Sequence, residues 1–322
     1  VKEALNHLWK GQCNCAYWHG VFGGLYLNHL RFAIYMNLIK AETIADEIRL
    51  NKKEWIECKS LDFDKDNSDE LLINSNLFNI YIDPDAGGSI FELDYKPANF
   101  NLLDNLSRRK EAYHKDLFKN ISGGSSSQDH QSIHDLTRQF DEGLRNELAY
   151  DWYRRTSLID HFMRMDCKVG EFKNMSYIEL GDFVTGEYKC VVNGKEKEVI
   201  VNLERTGNVE GNACKVSKQV TVKANNSEIT MQYEITNMCE KEINAKFGVE
   251  FNFAMLGGDS SDRYYYVKNK KLQDNKLISI GEENFVSEMG IVDNWLKIKI
   301  SLLFSEDVSV WRLPVETISQ SI

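Results

Sequence analysis

The stretch Ile243-Asn-Ala-Lys-Phe-Gly-Val-Glu-Phe-Asn-Phe253 places an apolar residue at every second position. Period two belongs to a β-strand with one buried face. The same alternation runs through Ile229, Met231, Tyr233 and Ile235, and again through Leu296, Ile298, Ile300 and Leu302. Upstream, Phe78, Ile80 and Ile82 alternate into the turn Asp83-Pro84-Asp85-Ala86-Gly87-Gly88, and Ile90 to Leu93 resumes as a strand, which predicts a hairpin. Asn193-Gly194 reads as a second hairpin turn. Many strands with short polar turns make this a mainly β chain, a large antiparallel β-sandwich. The stretch exceeds an immunoglobulin-sized unit of about 100 residues, so large, many-stranded sheets are expected.

The N-terminal part has a different period. Val1 to Trp9 reads as a helix, and from Leu25 to Leu50 the apolar residues Leu27, Leu30, Ile34 and Leu38 recur at helical spacing. The acidic run Asp62 to Glu70 then breaks the pattern. The expected division is a helical segment over 1–62, a linker over 63–70 and a β-sandwich domain over 71–322. Residues 101–151, charged and built around Gly123-Gly124-Ser125-Ser126-Ser127, read as a partly helical insertion. A chain of 322 residues opening on Val1 inside a helix is expected to be a piece of a longer polypeptide.

A net charge of −10 disfavours nucleic acid as the main partner, because binding phosphates needs a basic surface. No apolar run approaches the ~20 residues that span a bilayer, so no membrane partner is expected. Seven scattered cysteines do not form a disulfide framework and suggest a cytoplasmic protein.

Chemistry concentrates in Gln12-Cys13-Asn14-Cys15-Ala16-Tyr17-Trp18-His19-Gly20-Val21-Phe22-Gly23-Gly24. Trp and Tyr rings stack on the apolar faces of sugars, while amides and imidazole reach the hydroxyls. Gln12, Asn14, Tyr17, Trp18 and His19 are therefore the candidate substrate-binding residues; the ordinary alternative is a glycine-rich helix entry whose rings merely pack.

The run from Gln12 to Arg31 resembles a signature segment of glycoside hydrolase family 57, in its α-amylase and 4-α-glucanotransferase branch. Further segments match in order: Leu106 to His114, Trp152 to Phe162, Gly181 to Val184, Phe247 to Glu250 and Trp311 to Ser319. The resemblance implies a parent enzyme with an N-terminal (β/α)₇ barrel, a helical middle domain and a C-terminal galactose-mutarotase-like sandwich. It implies a Glu nucleophile and an Asp acid/base on the barrel, which nothing in this chain matches. No catalytic residue, cofactor or metal is therefore expected here. Cys15 stands where many members of the family carry Asp.

Other candidates have plainer readings. Cys13-x-Cys15 with His7 and His19 lacks the usual zinc spacing. Asp62-x-Asp64-x-Asp66 resembles the start of a calcium loop, but Asn67 and Ile73 stand where Gly and Glu belong, so a solvated linker is expected. Arg108 to His114 and Trp152 to Arg155 suggest a docking surface between helical segment and sandwich. Glu250 and Asn252 are expected on the solvated face of a sheet.

The expected function is that of the C-terminal helical and β-sandwich portion of an α-glucan-processing hydrolase or transferase. Its partners would be an α-glucan or maltooligosaccharide and the missing N-terminal catalytic barrel, and the helical segment would dock on its own sandwich or on a second copy as a homodimer. A free-standing carbohydrate-binding module and a mutarotase-like epimerase are the alternatives.

Overall fold

The computed structural model describes residues 1–19, 23–51, 53–118, 148–316 and 318. Most of the expected insertion, including the Gly123–Ser127 loop, lies outside the described residues. Helix α1 (Lys2–Gly11) and helix α2 (Asn28–Leu50) bracket two single 3₁₀ turns, Asn14–Tyr17 and Gly24–Tyr26. The helices touch where α1 ends: a Cβ on Gly11 would lie 2.4 Å from the Leu38 Cδ2. Helix α2 stops at Asn51, whose left-handed φ of 48° suits its short amide side chain. No helix among the described residues is long and apolar enough to cross a membrane.

Strands β1 (Ile56–Leu61), β2 (Glu70–Ser75), β3 (Phe78–Asp83), β4 (Ser89–Tyr95) and β5 (Phe100–Asn101) form a five-stranded antiparallel meander. Strand β6 (Ile159–Met163) pairs with β11 (Lys246–Glu250). Strands β7 (Lys189–Lys195), β8 (Glu198–Val209), β9 (Asn212–Lys223) and β10 (Ile229–Asn237) form a four-stranded sheet in the order β10-β9-β8-β7. A short helix α3 (Val169–Lys173) follows β6, and β12 (Arg263–Val267), β13 (Gly281–Asp293) and β14 (Ile298–Arg312) form a three-stranded, C-terminal sheet. One core joins the two larger sheets: Leu71, Ile73, Ile80 and Ile82 from the meander share a buried cluster with Val201, Leu203, Val216 and Val220. The expected hairpin over Phe78–Leu93 forms, with Asp83 Oδ1 accepting from the amides of Asp85 and Ala86 in its turn.

Three local expectations are corrected. The acidic run is the connection between paired strands, since β1 lies before it and pairs with β2 across it; the sheet therefore takes its first strand from within residues 1–62. Asn193-Gly194 lies inside β7, and the turn falls three residues later, at Glu196-Lys197. The observed register pairs the inward Cys190 and Val192 with Leu203 and Val201, whereas a turn at Asn193-Gly194 would oppose them with Lys197 and Lys195. Strand β11 covers only part of Ile243–Phe253, and Leu296 falls in the β13–β14 turn.

One buried cation ties three parts of the sandwich together. Lys218 on β9 donates to the carbonyls of Gly87 and Leu158 and to Asp160 Oδ2, at 2.7, 2.9 and 2.9 Å. Asp160 is fully buried and also accepts from the hydroxyls of Tyr188 and Tyr233. Breaking a buried pair strands the remaining charge. Lys218→Met is expected to destabilise the chain by about 3–5 kcal/mol in urea unfolding, with part of the loss recovered in Lys218→Met/Asp160→Asn. A loss under 1 kcal/mol would show that the pair is not a tie.

Candidate functional site

The N-terminal segment makes an aromatic ledge. After α1 the chain turns through Asn14–Tyr17, and the Tyr17 hydroxyl donates back to the Gly11 carbonyl at 2.6 Å. Beyond the turn, the Leu25 amide donates to the Trp18 carbonyl at 3.0 Å. This closure requires Gly24, with φ of 49°, because a Cβ there would lie 2.1 Å from the Trp18 oxygen. Tyr17 and Trp18 stay 58% and 54% exposed on the resulting ledge, with exposed Gln12 and Asn14 beside them. All five candidate residues are thus on one short loop. His19 differs from the other four, for it turns inward between Tyr26 and Tyr113, with ring centroids at 5.1 and 5.5 Å. Its Nε2 is buried and has no hydrogen-bond partner among the described residues.

The ledge is held from behind by residues that sequence reading left out of the site. The Tyr26 hydroxyl donates to Glu111. Arg31 of α2 pairs with Asp104 at 2.8 Å and donates to the Leu25 carbonyl. Of the two expected docking clusters, Arg108–His114 meets the helical segment through Glu111 and Tyr113. Two of their cationic members do something else. Arg108 and Arg155 are buried inside the β-domain, and both pair with Asp151, at 2.7 and 2.9 Å. Their remaining donors stay within the β-domain, with Arg108 donating to the Lys173 carbonyl and Arg155 to Glu250.

Glu250 is the larger correction. It is buried rather than solvated, and it joins the arginine pair to a histidine. It accepts from Arg155 and Asn252 on Oε1, and from Tyr153 and His161 on Oε2. Every lone-pair direction is used, so the carboxylate cannot take a proton from a sugar. His161 in turn bonds Glu250 through Nε2 and Glu179 through Nδ1, both at 2.9 Å. The alternation of β11 could not show this, because the partners are 89 and 95 residues away.

Asp62, Asp64 and Glu70 bring carboxylate oxygens within 4.8 Å of one another, and burial pushes Glu70 above the ordinary carboxylate range. Asp64 is exposed to water, and Asp66 instead closes a local turn onto the Ser68 amide. Cys13 and Cys15 are exposed free thiols and belong to no such group among the described residues. The crevice between α2 and the meander, lined by Asn28, Phe32, Tyr35 and Asp104, has no room for a water molecule.

Residues 62–321 match the family model for the C-terminal domain of alpha-amylase/4-alpha-glucanotransferase, and residues 1–45 match the model for its middle domain. The chain is 36% identical over 330 residues to alpha-amylase 1 of Dictyoglomus thermophilum, covering all of this chain and 44% of that protein. It is 35% identical over 321 residues to the 4-alpha-glucanotransferase of Thermococcus litoralis, covering 99% of this chain and 43% of that one. A crystal structure of 4-alpha-glucanotransferase from the latter organism superposes with a TM-score of 0.77, at 32% identity and again 43% of its length. The chain therefore spans less than half the length of these relatives.

The Glu250 network sets a pH dependence. Burial alone would lower the His161 pKa, but the bonds to Glu179 and Glu250 overcome it and push the group up to about 9. An unfolded histidine titrates near 6.5, so the stabilisation is full below that pH and is lost as pH rises through about 9. Chemical unfolding is expected to lose on the order of 3 kcal/mol across this window, and His161→Gln should flatten that loss. An unchanged slope in the variant would remove His161 as its source.

Proposed function

The chain belongs to the alpha-amylase/4-alpha-glucanotransferase family, and from that premise we propose that it serves an α-glucan-processing enzyme of glycoside hydrolase family 57 as its glucan-contacting, non-catalytic part. The observation that carries the reading is the pair of exposed rings, Tyr17 and Trp18, on a loop pinned by the Tyr17 hydroxyl on the Gly11 carbonyl and by the Leu25 amide on the Trp18 carbonyl. An exposed, preorganised aromatic face suits a pyranose ring, and Gln12 and Asn14 supply hydroxyl partners beside it. His19 acts as a wedge that fixes the ledge against Tyr26 and Tyr113, rather than as a sugar ligand. The two catalytic carboxylates of a retaining glycosidase belong in the part of the longer enzyme that this chain does not span.

Glu250 and His161 lie against each other as the base and acid of a sugar epimerase would, which favours a second reading in which the sandwich is itself catalytic. Saturation of Glu250 and the double bonding of His161 count against it, since neither group is free to exchange a proton with substrate. The network is instead a structural tie between β6, β11 and the segment before β6.

The purified chain is expected to bind maltoheptaose weakly and not to hydrolyse or transfer it. Trp18→Ala should weaken binding about fivefold, the equivalent of ~1 kcal/mol of ring stacking, with the melting temperature unchanged. Calorimetric titration paired with thermal unfolding checks this. A variant that melts earlier but binds as before would make the ring a packing element.

A further inference from the structure

Helix α2 lies on the outer face of the five-stranded meander, and that face is polar. Cross-strand register places Asn74, Asn79, Asp94 and Asn101 side by side on it, with Tyr81 and Glu92 as the next pair. Asp94 and Asn79 are 2% and 1% exposed. From α2, Glu42 accepts from Asn74 at 3.1 Å and from Asn79 at 2.5 Å. Asn79 and Asn101 also donate to Asp94, at 3.0 and 2.9 Å. Three carboxylates, Glu42, Glu92 and Asp94, therefore share one junction, and among the described residues none forms an ion pair. Facing them are Tyr35 of α2, Tyr81 of β3, Asp104 beyond β5 and the guanidinium of Arg154. Arg154 is exposed, and it lies over the Phe91 ring at 5.3 Å. The nearby Lys96 is taken by Asp46, and Arg31 by Asp104.

Asp94 is buried, with Glu92 half-buried beside it and Glu42 facing it, so keeping both β4 carboxylates charged is costly and the junction favours a proton. Glu92 lies two positions from Asp94 on the same face of β4. Burial, then the charges of Asp94 and Glu42, hold Glu92 well above the ordinary carboxylate range. Burial, with Glu42, likewise pushes Asp94 up to about 7 against the bonds from Asn79 and Asn101.

We propose that the junction is a proton-linked seat: a proton held by Glu92 against Asp94 keeps α2 on the sheet, and losing it unseats the helix together with the aromatic ledge. The ledge follows because Arg31, in the first turn of α2, is bonded to Leu25 beside it. A carboxyl group with a raised folded pKa stabilises below its unfolded value and loses that contribution as pH rises through the folded one. For Asp94 the loss runs from about 4 to about 7 and continues upward with Glu92. The contribution of His161 is lost over an overlapping range, so the readout must be local.

Amide hydrogen exchange on the full 322-residue chain at pH 5, 7 and 9, corrected for intrinsic rates, supplies that readout. Protection of residues 28–50 is expected to fall about tenfold or more from pH 5 to 9, while β8 and β9 keep theirs. In Glu92→Gln, a near-isosteric change, α2 should keep its pH 5 protection at pH 9. Glu42→Gln, which removes a facing charge without touching the pair, should reduce the fall. Flat protection in the parent chain, an equal fall in Glu92→Gln, or parallel losses in α2 and the strands would each overturn the proposal.

Discussion

A helix laid on the polar face of a sheet must meet every donor and acceptor that it covers, and α2 does so mainly with carboxylates. Hydrogen bonds to Asn74 and Asn79 consume Glu42, and Asp46 engages Lys96, itself 4% exposed. Ordinary helix-on-sheet packing buries an apolar stripe and is insensitive to protons. Here Leu38 closes over Gly11 of α1, and Phe32 carries an apolar contact to Phe100 of the meander. The position of the aromatic ledge relative to the sandwich therefore depends on how hydrogen-bonded acids are satisfied.

The sandwich meets the opposite demand. Its two large sheets share an apolar core, and the cations Lys218 and Arg155 that it buries are paired. Lys218 with Asp160 ties the β3–β4 turn and β6 to β9, and Arg155 with Glu250 joins β11 to the segment leading into β6. Buried pairs add little net stability over apolar residues of like volume, yet losing one partner is costly, so such ties enforce one arrangement.

Much of the sheet architecture was legible because inward side chains repeat every second residue. Phe78, Ile80 and Ile82 located β3, and Ile229, Met231 and Tyr233 located β10, since each stretch puts these apolar members on the shared core. The outward positions carried no such information. Asn79, Asp94 and Glu250 look alike as polar alternates, yet each is buried beneath a partner distant in sequence. Asn193-Gly194 failed as a turn because register is fixed by the inward valines, not by local preference. In the ledge, residue type pointed to Tyr17 and Trp18, but it could not separate them from His19, whose orientation depends on Tyr113.

The central claim is that the loop from Gln12 to His19 is the glucan-contacting surface of this chain. The chain has six tryptophans, whose indole N–H signals can be followed together during titration with maltoheptaose. Trp18, Trp152 and Trp295 are similarly exposed, at 54%, 54% and 56%, so exposure alone does not favour any of them. The account predicts a saturable shift at Trp18 with Trp152 and Trp295 unmoved. A shift at Trp152 or Trp295 with Trp18 unmoved would contradict it.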